Sequence, residues 1–204
     1  MNKIYNLALA SIIIVYLVIF AGAIVRMTGS GMGCPDWPKC FGYLIPPTER
    51  SQLDWKPNSS FDKNQIIIIE EELYFALEDF TSDKIIDLNN WGKYTKHNYA
   101  KFNAYHTWIE YINRLIGAIA GISVLLLFLY SLRYLKKSFT VPLLSFLSLI
   151  AILFQAWLGK IVVDSNLSAN TITIHMFMAI LLLFILFAIL SIVSKKSKLK
   201  RLPK

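Results

Sequence analysis

The chain has 204 residues, of which 55% are hydrophobic, and its mean hydropathy of +0.50 is too high for an ordinary soluble domain. The net charge of +8 could suit a nucleic-acid partner, but six of the 21 basic residues are concentrated in residues 195–204, directly after an apolar run. Such a cluster is typical of a cytoplasmic anchor on an anionic leaflet. Composition therefore predicts an integral membrane protein and no nucleic-acid partner.

Four apolar runs each exceed the roughly 20 residues needed to cross the hydrocarbon core of a bilayer. They predict an all-α integral membrane fold, a bundle of four transmembrane helices in a single membrane domain over residues 1–204. The first run is too long for the hydrophobic part of a signal peptide, so it is predicted to be a helix. The four predicted helices cover about residues 4–25, 104–132, 141–163 and 171–193.

The short loops set the orientation. Lys3, Arg133, Lys136, Lys137 and a basic tail over residues 194–204 fall on one side of the bundle. The positive-inside rule makes that side cytoplasmic. We therefore predict cytoplasmic N- and C-termini and a long outer loop over residues 27–103.

The outer loop begins with a segment rich in glycine and proline that contains both cysteines. Cys34 and Cys40 lie six residues apart across this turn, which is compatible with disulfide geometry, and the outer compartment is oxidising. A zinc site is disfavoured, because there is no second cysteine pair and no nearby histidine. Helical spacing from Leu73 to Phe80 predicts a short amphipathic helix. The length of the loop leaves two alternatives, a small extramembrane cap or partial disorder.

Polar residues form a stripe on the second helix. His106, Glu110 and Asn113 share one face, because positions i, i+4 and i+7 stack along a helix. Ionisable groups inside a membrane helix usually mark a site. Glu110 either forms a structural ion pair with Arg114, four residues later, or serves as an acid, a base or an electrostatic partner in a buried site.

Two histidines are predicted at similar depth. The second and fourth helices both enter the membrane from outside, so His106 and His175 lie within about two turns of the outer surface. Such a pair on facing helices can ligate a haem iron, whereas the alternative is two polar residues at helix ends. Gln155, Trp157 and Lys160 on the third helix either line this site or anchor the helix at the interface.

Several of these residues together resemble the haem A synthase family. Residues 22–42 resemble the end of the first helix and the first outer loop, where bacterial members carry a cysteine pair. The other matching segments are Glu110-x-x-Asn113-Arg114, Gln155-x-x-Leu158-Gly159-x-x-Val162 and His175. The family's two four-helix halves bind haem b through two histidines in one half and the haem O substrate in the other. A methyl group of haem O is oxidised to the formyl group of haem A.

The resemblance implies that this chain is one substrate-side half, with catalytic Glu110 and Arg114 and with His175 as a ligand of haem iron. A homodimer, or pairing with a second half, would restore eight helices. The resemblance further implies a bacterial inner membrane location, a haem O synthase as donor, and a role in terminal oxidase biogenesis. A non-catalytic haem-binding or assembly protein of the oxidase is the alternative. A transporter subunit is disfavoured, because paired broken helices are not predicted.

The chain departs from the family pattern at one position. Asn113 stands where the family carries a histidine on the second helix, and a neutral amide is a poor iron ligand. Either His106, seven residues earlier on the same face, replaces that histidine, or His175 is the only histidine ligand.

Overall fold

The structure is a computed structural model that describes residues 2–95, 102–136 and 138–199. Lys137 and residues 200–204, which belong to the predicted cytoplasmic basic clusters, lie outside the described residues. The four long helices are α1 (Asn2–Met27), α2 (Ala104–Ser131), α3 (Thr140–Asp164) and α4 (Ala169–Leu199). Each is long and apolar enough to cross a membrane. The predicted four-helix membrane fold is confirmed, and the chain is a multi-pass membrane protein.

The chain divides into two compact units. We call Met1–Ala23 with Asn113–Lys204 the helical unit and Ile24–Ile112 the loop unit. In the helical unit, buried side chains recur at helical spacing, so that each helix presents an apolar stripe to one core. This core includes Ile4, Ala8, Ile12, Val124, Leu127, Leu182, Leu186 and Ile189.

The other faces of the helices are also apolar. Phe20, Phe177 and Phe184 are 64–68% exposed, as expected of side chains that contact lipid rather than water. Between α1 and α2, the hydroxyls of Ser11 and Ser123 form a hydrogen bond of 2.6 Å that satisfies both polar groups within the apolar unit. Within the helical unit, the helices therefore pack through apolar stripes, and exposed apolar side chains such as Phe20, Phe177 and Phe184 are available to the bilayer.

The described residues of the loop unit contain five short strands and two 3₁₀ turns, Arg50–Leu53 and Leu88–Asn90. The strands are β1 (Ser60–Phe61), β2 (Ile66–Ile69), β3 (Glu72–Ala76), β4 (Phe80–Thr81) and β5 (Trp91–Lys93). Strands β2, β3 and β5 form an antiparallel sheet in that order, and β1 pairs with β4. Of the two alternatives for this loop, the folded one is therefore observed for its described residues.

The predicted amphipathic helix from Leu73 to Phe80 is wrong, because this segment forms β3 and β4. Four consecutive isoleucines make β2 a strong strand former. Glu70 and Glu71 then adopt positive φ angles of 48° and 64°, the geometry of a tight two-residue hairpin turn. The hairpin pairs Ile68 with Leu73, so cross-strand packing overrides the apparent helical spacing.

The sheet has a core on each face. On one face, Ile66, Ile68 and Leu73 pack with the buried side chains of Cys34 and Cys40. On the other face, Ile67 and Ala76 pack with Phe61 and Trp91. The sheet thereby serves as a rigid base on which the two cysteines are held.

Candidate functional site

The cysteine segment is closed by a disulfide between Cys34 and Cys40, as the sequence predicts. Both cysteines are completely buried. Asp36, which lies within the ring, accepts hydrogen bonds through its carboxylate from the backbone amides of Phe41 (2.6 Å) and Gly42 (2.8 Å), directly after Cys40. The ring is therefore fixed by a covalent bond and by a carboxylate that binds the residues following it. Within the described part of the chain, no three potential ligands among histidine, cysteine, aspartate and glutamate cluster as a metal site.

Glu110 on α2 contacts this segment directly. One carboxylate oxygen accepts a hydrogen bond of 2.9 Å from the backbone amide of Cys34, although 76 residues separate the two in sequence. The glutamate is only 4% exposed. A buried carboxylate needs donors to offset the loss of water, and here the cysteine segment supplies one. The carboxylate is consequently held at a fixed place beside the disulfide.

Thr107 forms a second link between α2 and the cysteine segment, which the sequence analysis did not identify. Its hydroxyl donates a hydrogen bond of 2.8 Å to the Gly33 carbonyl oxygen, and the residue is 1% exposed. The Cys34 Sγ lies 3.7 Å from the Thr107 carbonyl oxygen, a packing contact, since a disulfide sulfur carries no hydrogen to donate. Thr107 lies three residues before Glu110 and so on the same helical face, which is the signal that could have identified it.

Gly33 lies so close to α2 that a side chain would not fit. A Cβ at this position would be 2.4 Å from the His106 carbonyl oxygen and 2.7 Å from the Thr107 amide nitrogen. Both neighbours are backbone atoms that cannot rotate away. This position therefore requires glycine, because only glycine permits the backbones to approach this closely.

His106 lies in the first turn of α2 and is half-buried. The Asn103 side chain caps this turn, since its Oδ1 accepts a hydrogen bond of 3.0 Å from the Tyr105 amide. His106 lines a cleft of about 100 Å³ together with Gly29, Met32, Gly33, Phe41, Phe102 and Asn103. His106 thus belongs to the loop unit, whereas His175 belongs to the helical unit.

His175 lies on α4 beside α3. The Gln155 side chain donates a hydrogen bond of 2.9 Å to the His175 carbonyl oxygen. A Cβ on Gly159 would lie 3.6 Å from the His175 ring, which is an ordinary van der Waals contact, so Gly159 packs against that side of the imidazole. The buried Nδ1 of His175 and the buried Oε1 of Gln155 have no hydrogen-bond partner among the described residues. The structure therefore brings together two of the predicted site residues, Gln155 and His175.

The remaining candidates lie on α2 and α3. The buried Oδ1 of Asn113 lies 3.9 Å from the position of a Cβ on Gly22, and it too has no hydrogen-bond partner in the described ranges. Arg114 follows Glu110 by about one helical turn and is half-buried. Trp157 is 53% exposed, and Lys160 pairs with Asp164 at 2.8 Å on an exposed surface.

Comparison with known proteins shows that the chain matches a protein family. Residues 5–73 and 82–204 match the COX15-CtaA family, described as cytochrome oxidase assembly protein. The chain is 29% identical over 178 residues to a protein named heme A synthase from Ehrlichia canis, a match that covers 84% of this chain and 44% of that protein. A protein of the same name from Orientia tsutsugamushi (strain Ikeda) is 31% identical over 173 residues, covering 84% of this chain and 40% of the relative.

A third relative of that name, from Shewanella oneidensis, is 27% identical over 166 residues, which cover 81% of this chain and 38% of the relative. The matched part of the chain thus spans less than half the length of each of these relatives. The family match, in contrast, extends over nearly the whole chain. The chain therefore belongs to the COX15-CtaA family of cytochrome oxidase assembly proteins.

Proposed function

We propose that this chain takes part in converting haem O to haem A, by oxidation of a methyl group of haem O to a formyl group, for terminal oxidase biogenesis. The observation that carries the proposal is the half-buried His175 imidazole, whose buried Nδ1 has no protein partner in the described structure. It occurs in a chain whose relatives are named heme A synthase.

The residues around His175 fit a haem. An imidazole is the commonest protein ligand of haem iron, and His175 lies in an otherwise apolar membrane segment. Gly159 lies against the ring without a side chain, and the carbonyl of His175 accepts a hydrogen bond from Gln155. When bound, the haem supplies the redox chemistry of its iron. His175 would hold that iron, and His106 is the candidate for a second histidine ligand, with haem b as the proposed resident cofactor.

Glu110 is the proposed functional carboxylate. A buried negative charge stabilises cationic charge that develops at a carbon undergoing oxidation, and a site of low dielectric strengthens this effect. The Cys34 amide fixes the position of the carboxylate, so little reorganisation is needed during the reaction. Arg114, on the next turn of α2, is proposed to complete the charge balance of the site.

The protein is proposed to work as a pair of halves. Four membrane helices and a match to less than half of each relative suggest that a second four-helix half completes the assembly. A homodimer or a partner half from another chain would provide it. We place this single membrane domain in the bacterial inner membrane, with cytoplasmic termini and with a haem O synthase as the donor of substrate.

A second function is favoured by one residue. Asn113 stands at the position of the family's helix 2 histidine, and its amide oxygen is a poor iron ligand. This departure favours a haem-binding or assembly protein of the terminal oxidase that does not itself oxidise haem O. Both proposals place a haem at His175. They differ in whether the protein itself converts haem O to haem A.

The experiment supplies haem O to membranes that contain the full chain, then extracts and separates the haems by chromatography. Formation of haem A with the wild-type chain, and its loss with His175→Ala, supports the first function. Haem retained by the purified protein without haem A supports the second. If the purified wild-type chain shows no haem absorption, both proposed functions are contradicted.

A further inference from the structure

We infer that Thr107 is a positioning residue, which holds the cysteine segment against α2 so that the Cys34 amide meets Glu110. The inference rests on the proposed function, because Glu110 is the functional carboxylate in that proposal. The hydrogen bond between Thr107 and Gly33 can be tested without any activity. The Thr107 hydroxyl donates a hydrogen bond of 2.8 Å to the Gly33 carbonyl oxygen.

The peptide unit between Gly33 and Cys34 is held to α2 by two hydrogen bonds, one at its carbonyl and one at its amide. The carbonyl of Gly33 accepts from Thr107, and the amide of the next residue, Cys34, donates to Glu110 at 2.9 Å. These two groups belong to the same peptide unit, so one rigid plane carries both hydrogen bonds. The orientation of the Cys34 amide is therefore set by the position of the Gly33 carbonyl.

The surroundings leave this peptide little freedom. A Cβ on Gly33 would lie 2.4 Å from the His106 carbonyl oxygen, so the segment is already as close to α2 as the backbone allows. Thr107 and Glu110 are 1% and 4% exposed, so water does not readily replace either hydrogen bond. Loss of the Thr107 hydroxyl would leave the Gly33 carbonyl without its side-chain donor. The Gly33–Cys34 peptide unit would then be held only through its amide.

The alternative is that Thr107 is only a well-packed core residue. Packing depends on side-chain volume, which valine reproduces. The hydrogen bond to the Gly33 carbonyl depends on a hydroxyl, which serine retains. Comparison of Thr107→Val with Thr107→Ser therefore separates the two. Thr173→Val is the matched control, because the Thr173 hydroxyl donates 2.8 Å to the Ala169 carbonyl within the exposed face of one helix.

The first measurement needs no haem. The full chain in lipid nanodiscs is treated with a phosphine reductant, and alkylation of Cys34 and Cys40 is followed by mass spectrometry. Loss of one buried hydrogen bond makes opening of the segment about five- to tenfold more frequent, so Thr107→Val should be reduced faster by that factor. Thr107→Ser and Thr173→Val should be reduced at the wild-type rate.

The second measurement is a double-mutant cycle on the same reduction rate. The effects of Thr107→Val and Glu110→Ala should not multiply, because each releases the same peptide. The inference is overturned by a wild-type reduction rate in Thr107→Val, by a rate in Thr107→Ser as fast as in the valine variant, or by independent effects in the cycle. The proposed function is tested separately, since it fails when the wild-type chain forms no haem A, whatever the reduction rates are.

Discussion

Replacing Glu110 separates its role as an anchor of the cysteine segment from its role as a charge. Glu110→Ala leaves the buried Cys34 amide without the acceptor now 2.9 Å away. A hydrogen bond to a charged group contributes about 1.5–3 kcal/mol. Opening of the segment should therefore become about ten- to 150-fold more frequent, at about 1.4 kcal/mol per factor of ten.

Glu110→Gln keeps an oxygen acceptor of nearly the same shape and removes the charge. Charge-assisted hydrogen bonds are roughly twice as strong as neutral ones, so this variant should lose about half of the stabilisation. The expected cost is about 1 kcal/mol, or about a fivefold increase in opening. Glutamine and alanine therefore differ strongly as anchors but are equally unable to stabilise a cation.

The assay combines the rate of disulfide reduction with haem A formation in the same membranes. We expect fast reduction only in Glu110→Ala, a modest increase in Glu110→Gln, and loss of haem A formation in both. Wild-type haem A formation by Glu110→Gln would refute the electrostatic role and leave the residue as an anchor. A wild-type reduction rate in Glu110→Ala would refute the anchoring.

Three further predictions concern single groups. His175→Ala should abolish the haem absorption band of the purified protein, whereas Thr173→Val should retain it; equal bands would exclude His175 as the ligand. Trp91→Ala removes an indole that packs edge-on against two phenylalanine rings at 5.0 and 5.3 Å, so it should destabilise the loop unit by about 3–5 kcal/mol and speed its cleavage in limited proteolysis. Unchanged cleavage would contradict the role of this core. The hydrogen bond from Lys93 holds the pKa of Glu72 below its ordinary value, so its contribution to stability is present above the unfolded pKa and is lost as the pH falls through the folded pKa. Lys93→Ala should return the pKa of Glu72 towards its ordinary value in an NMR titration, and an unmoved titration would show that Lys93 is not the cause.

The helices were predictable because each carries enough local information. A run of more than 20 apolar residues needs no partner to identify it, and α1 to α4 begin within two residues of their predicted starts. Helix α4 ends at Leu199, later than the predicted end at about residue 193. The residues after the apolar run include lysines, which have a high helix propensity and allow the helix to continue. The disulfide was predictable for the same reason, since six residues and a turn bring its cysteines together.

The sheet of the loop unit was not predictable by the same means. The spacing of apolar residues in β3 fits both a helix and a strand over so short a run. The outcome depends on pairing with β2 and β5, and β5 lies 15 residues beyond the end of β3. The four isoleucines of β2 followed by Glu70 and Glu71 were the available signal for a hairpin, although glutamate is an uncommon residue for a turn with positive φ angles.

The contact between Glu110 and Cys34 lies beyond what sequence periodicity can show. Periodicity identified the face of α2 that carries Glu110, but it offered only Arg114 as a partner, because that residue lies nearby in sequence. The observed donor is a backbone amide 76 residues away, and a backbone amide has no sequence signature. The partner of a buried carboxylate is thus determined by chain topology rather than by residue type.

The cysteine segment and the helix 2 glutamate depend on each other for stability. The carboxylate requires donors because it is buried, and the Cys34 amide requires an acceptor for the same reason. The disulfide limits the motion of that amide, and Asp36 caps the other end of the ring. Loss of the disulfide or of the Asp36 carboxylate should therefore alter the placement of the Glu110 charge. The disulfide then contributes to the site by fixing the direction of one N–H group, in addition to holding the loop closed.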